Sequence, residues 1–167
     1  MRMTGSLRPL VVMASLLLAG QAGAEALDRM IVLDLSEGVG LQRKPGQLGI
    51  GPCDCGDAAD LPESRNFNLY LVGQSTLKDG RTRFVLAIAP AQKARMVRQI
   101  EALRDALPGV DSPVGYSLHV KFCRMAGTGA QPVSFRWRVT DGEGNPIEDK
   151  EMSGETRIDT SSPVCSR

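Results

Sequence analysis

Two stretches of the chain alternate apolar and polar residues with a period of two. In the first, Tyr116, Leu118, Val120 and Phe122 interleave with Ser117, His119, Lys121 and Cys123. In the second, Val133, Phe135, Trp137 and Val139 interleave with Ser134, Arg136, Arg138 and Thr140. Successive side chains of a strand point to opposite faces, so each stretch predicts a strand with one buried and one wet face. Phe67 to Gln74 and Thr82 to Ala89 read the same way, with Leu69, Leu71, Phe84, Leu86 and Ile88 at alternating positions. The turn signal Lys78-Asp79-Gly80 between them predicts a hairpin. Met30 to Leu35 is a shorter β-favouring run, ended by Ser36-Glu37-Gly38.

Between residues 91 and 107 the period lengthens. Met96, Val97, Ile100, Leu103 and Leu107 follow helical spacing, Pro90 suits a first turn where a missing N–H costs nothing, and Pro108-Gly109 stops the run. Lys93, Arg95, Arg98, Glu101, Arg104 and Asp105 form the solvated face of this helix. Asp141 to Pro146 is a dense turn cluster, and the polar tail after it has room for one short edge strand around Glu155 to Ile158. The expected class is α+β: a twisted antiparallel sheet, with a strand-strand-helix-strand-strand core over residues 67–140, covered on one face by a single helix.

From Gly38 to Glu63 periodicity is lost. Six glycines and Pro45, Pro52 and Pro62 interrupt the segment, which reads as a long Gly-rich N-terminal loop tied down by Cys53 and Cys55.

The start of the chain sets the compartment. Arg2 and Arg8 precede an apolar run from Leu10 to Ala19, and Ala22-Gly23-Ala24 supplies small residues for cleavage, the order of a secretory signal over residues 1–24. This ten-residue run, polar only at Ser15, is half the length of the roughly twenty residues that a permanent transmembrane helix needs. What remains, residues 25–167, is expected to be one extracytoplasmic domain: a strand and loop over 25–66, the core over 67–140 and a polar tail over 141–167. Loss of Arg2 and Arg8 takes 20 basic residues to 18 against 19 acids, net −1, so bulk attraction to nucleic acid or an anionic membrane is not expected.

In an exported chain four cysteines, Cys53, Cys55, Cys123 and Cys165, predict a disulfide framework. A Cys53–Cys55 bond would close a very tight ring, so each is expected to bond to one of the distant pair. The Cys53-Asp54-Cys55 spacing also suits a soft metal, but it lacks further ligands nearby, and the cofactor expectation is none.

His119 is the only histidine, so any Ser–His–acid chemistry has to use it. No nucleophile elbow, phosphate loop or zinc-hydrolase motif accompanies it. If the strands at 116–123 and 133–140 are neighbours, His119, Lys121, Arg136 and Arg138 share one sheet face and form a basic binding patch. The alternative is a merely solvated face. These features favour a non-catalytic binding module of the bacterial envelope, periplasmic or secreted, acting as an inhibitor, immunity factor or accessory assembly factor. Its partner would be another envelope or secreted protein, or an anionic ligand. A structural subunit of a surface appendage that exchanges strands is the second expectation, and a small hydrolase or metal carrier the third.

Overall fold

A computed structural model describes residues 29–54, 61–147 and 151–165, so the expected signal over 1–24 lies outside the described residues, as does Cys55. Seven strands are described: β1 (Met30–Leu35), β2 (Val39–Pro52), β3 (Arg65–Thr76), β4 (Thr82–Ile88), β5 (Val114–Arg124), β6 (Gln131–Thr140) and β7 (Met152–Ile158). One helix, α1 (Lys93–Ala106), follows a single 3₁₀ turn that begins at Pro90. The predicted order from 67 to 140 is therefore the observed one. The hairpin forms as β3 and β4, and the edge strand of the tail forms as β7.

All strand neighbours are antiparallel, in the order β5-β2-β3-β4-β1-β6-β7. The sheet curls until its two ends approach, giving a nearly closed barrel. Alternation decides what lies inside. Leu33 of β1 sits between Phe84 of β4 and Trp137 of β6, all buried, while Asp34 between Arg83 and Arg136 faces out. Ile31, Leu35, Leu48, Ile50, Phe67, Leu86 and Val133 are fully enclosed with them in a single cluster. Burying each such side chain stabilises the fold by about 1.5–3 kcal/mol.

The sheet expectation holds at the level of class and needs correcting in shape: the apolar faces turn toward one another. The helix lies at the end of the barrel where β2 finishes and β5 starts, sending Met96, Ile100 and Leu103 into the same core. Gln99, buried with them, donates to the Glu63 carbonyl at 2.8 Å and so holds the entry to β3.

The Gly-rich segment is a second correction. Residues 39–52 are not loop but the longest strand of the barrel. A propensity reading misses this because glycine shows no alternation; the strand is dictated by its partners, β5 along most of its length and β3 at Gln47–Ile50. Its glycines are where other groups come close. A Cβ at Gly40 would stand 2.7 Å from the Cys165 sulfur, and one at Gly46, where φ is +149°, would run into the His119 carbonyl oxygen.

Disulfide pairing is the third correction. Cys123 bonds to Cys165, not to Cys53 or Cys55, and Cys53 is disulfide-bonded as well. The Cys123–Cys165 bridge sits at the seam between the two ends of the sheet. Beside it the Arg124 N–H donates to the Pro163 carbonyl and the Cys165 N–H to the Arg124 carbonyl, each at 2.9 Å. The tail thus adds a short parallel pairing to β5, the strand at one end of the sheet order.

Candidate functional site

The residues singled out from sequence do not meet on one face. β5 pairs with β2, whereas β6 lies between β1 and β7, so β7 and the seam separate His119 and Lys121 from Arg136 and Arg138. His119 stands opposite Gln47, exposed, with no side-chain hydrogen bond or ion pair among the described residues, and no Ser–His–acid arrangement forms there. Cys53, one of the two thiols a soft metal would use, is tied up in a disulfide.

Arg136 and Arg138 share one acidic neighbour. Both reach toward the Glu151 carboxylate, at 3.7 and 3.8 Å. Their Nε atoms are shielded and make no hydrogen bond, so only the outer guanidinium nitrogens are on offer, and those face an acid. Asp34 of β1, the next strand, has its buried carboxylate gripped by Arg83 of β4 with two bonds, 2.7 and 2.8 Å. That carboxylate holds the Arg83 guanidinium above its ordinary pKa, so it stays charged. In the β3–β4 turn, Arg81 donates to Asp79 at 2.7 Å and draws its pKa below the usual carboxylate value. Arg81, Arg83, Arg136 and Arg138 thus each have a carboxylate at hand on this side of the barrel.

On the other side of β4 the sheet is built differently. β2 and β3 pair at Gln47–Asn68 through Ile50–Arg65 and then separate. Beyond that point β2 stays with β5, bulging between Leu41 and Gly46, and β3 stays with β4. From Leu69 to Thr76 the edge of β3 that faces away from β4 has no backbone partner among the described residues. This open stretch carries the exposed Tyr70 (40%), Leu71 (46%) and Val72 (51%), a contiguous apolar run on the surface. A bulge between Leu71 and Gly73 lets three successive apolar side chains emerge together.

No family model, no curated protein and no solved structure matches this chain. The open β3 edge is the surface with the most pronounced departure from an ordinary soluble sheet. Sequence reading missed it, although a signal was there: Leu69-Tyr70-Leu71-Val72 is four apolar residues in a row, which breaks the period of two and leaves at least two of them without a core to face. It also passed over Arg43 and Lys44, whose segment read as loop. In the structure these two line, with Lys121, a shallow cleft of about 400 Å³ beside the disulfide.

Proposed function

We propose that this chain is a non-catalytic, exported binding module of the bacterial envelope, periplasmic or secreted, that takes an extended segment of a partner protein onto the open half of β3. An inhibitor, an immunity factor and an accessory assembly factor would each work through such a surface. The observation that carries this reading is the run Leu69–Thr76: one unpaired edge, no charge, no proline and three exposed apolar side chains. Soluble sheets ordinarily protect an edge of this length with lysine, proline or a cover. A strand added there gains main-chain hydrogen bonds along the edge and apolar contact with Tyr70, Leu71 and Val72. Export is supported by the signal pattern of residues 1–24 and by the Cys123–Cys165 bridge, because disulfides persist in oxidising compartments.

The test is to place a charge on the edge. Leu71→Lys and Val72→Lys alter exposed positions and should change stability by no more than about 0.5 kcal/mol. Residues 25–167, immobilised, should retain a partner from envelope extract that neither variant retains, with melting curves superimposed. Equal retention by all three proteins, or no retained partner at any salt concentration, would sink the reading.

A second reading, a structural subunit whose copies exchange strands, is favoured by the same lack of charge, since two copies of this edge meet without repulsion. Sedimentation separates the two: assembly that grows with concentration and vanishes in Val72→Lys supports the subunit, and a monomer at all concentrations supports the binding module.

A further inference from the structure

Away from the open edge, the cleft at the seam has a chemistry of its own. Gln42, Arg43 and Lys44 reach it from the β2 bulge, Lys121 from β5, and the Cys123–Cys165 bridge and Val164 form its far wall. Arg43 and Lys121 are at the surface, and so is Lys44. In contrast with Arg81, Arg83, Arg136 and Arg138, none of the three has a carboxylate within ion-pair distance among the described residues. Three uncompensated cations therefore converge on one concavity of a chain whose expected processed form is near neutral. The volume, about 400 Å³, is that of a small-ligand site and far more than one bare ion fills.

We infer that this cleft binds a phosphorylated small group, a sugar phosphate or the phosphate headgroup of a lipid. Three cations call for more than one negative charge on the ligand, and a phosphate monoester carries about −1.5 to −2 at pH 7 where a carboxylate carries one. The guanidinium of Arg43 can take two phosphate oxygens at once, while Lys44 and Lys121 act as point charges beside it. Val164, 47% exposed, and the disulfide give the uncharged body of the ligand an apolar surface to lie against. The bridge is part of the wall, so the site exists only in the oxidised protein.

Calorimetry on the disulfide-bonded chain 25–167 at about 10 mM salt, where screening is weak, tests this with glucose 6-phosphate, gluconate and glucose as probes. Sedimentation with vesicles of phosphatidylcholine, with and without phosphatidic acid, distinguishes a lipid source from a soluble one. The expected result is binding to glucose 6-phosphate, to phosphatidic acid vesicles, or to both, with gluconate at least tenfold weaker and glucose and pure phosphatidylcholine inert. Lys121→Gln and Arg43→Gln should each weaken binding about tenfold, Cys165→Ser should abolish it, and Arg98→Gln, on the helix at the other end of the barrel, should leave it unchanged. Thermal melts of the two Gln variants check that they fold. Failure of both phosphorylated probes, gluconate binding as well as glucose 6-phosphate, or equal weakening by Arg98→Gln would overturn the inference.

Discussion

The barrel has two places where its wall could close, and the chain treats them in opposite ways. Between β5 and β7 the tail turns back, adds a short parallel pairing at Arg124 and locks it with the Cys123–Cys165 bridge. Between β2 and β3 the strands separate after four paired residues and nothing described fills the space. A sheet edge left open by accident tends to be short or charged; this one is eight residues long and uncharged. The covalent effort spent at the seam shows that the fold can close a gap, which makes the gap at β3 informative.

The largest effect should come from undoing the closed side. The Cys123–Cys165 bridge spans 42 residues, and on the chain-entropy view of crosslinks its loss costs about 4 kcal/mol. Cys165→Ser should lower the urea midpoint accordingly and raise amide exchange at Phe122 to Arg124 first. The β3–β4 hairpin should keep its protection longer, because its pairing does not pass through the seam. Simultaneous loss of both regions would mean that the two sides are not energetically separate.

The open side depends on a backbone detail. Gly46 sits at φ +149° beside the His119 carbonyl, at the point where β2 leaves β3 and bulges on β5. Gly46→Ala should cost about 2 kcal/mol from the backbone conformation, with a further contribution from displacing β5. Amide exchange should rise at Gln47 and His119 more than at the seam. A variant as stable as the parent, with unchanged exchange, would show that the bulge is not what parts the strands.

What the sequence made legible, and what it hid, follows the same division. Every element that reads by alternation was visible, from β1 through the β3–β4 hairpin to β5 and β6, because burial on one face writes a period of two into Leu, Val and Phe. The helix was legible from its spacing and from Pro90. Hidden were the features made by partners far along the chain. β2 is a strand because β5 and β3 pair with its Gly-rich backbone, and the tail meets β5 through Cys123 and Cys165, 42 positions apart in sequence. The site was less legible still. His119, Lys121, Arg136 and Arg138 were grouped on the assumption that β5 and β6 are neighbours, and the topology puts β1 and β7 beside β6 instead. Lys121 keeps company with Arg43 and Lys44, a grouping set by tertiary pairing across 77 residues of sequence.

The smallest expected effect concerns how the tail is aimed at the seam. Asp159 begins the turn that returns the chain to β5: its carboxylate accepts from the Ser161 hydroxyl at 2.6 Å and from the Ser161 and Ser162 N–H groups at 2.8 and 3.0 Å. The Ser161 hydroxyl first, and the N–H groups after it, hold its pKa below the ordinary 3.8. A carboxylate depressed in the folded state adds stability that is complete above its unfolded value and is lost as pH falls through the lower, folded one. Melting temperature of the parent should therefore hold level for this group from neutral pH down to about 4 and decline only below it, whereas Asp159→Asn should lack that component of the acid decline. The group is fully exposed, so the difference should be slight in the intact protein. It should grow in Cys165→Ser, where the turn alone brings Pro163 to Arg124; an Asp159→Asn effect that is the same with and without the bridge would show that turn and crosslink do not act on the same closure.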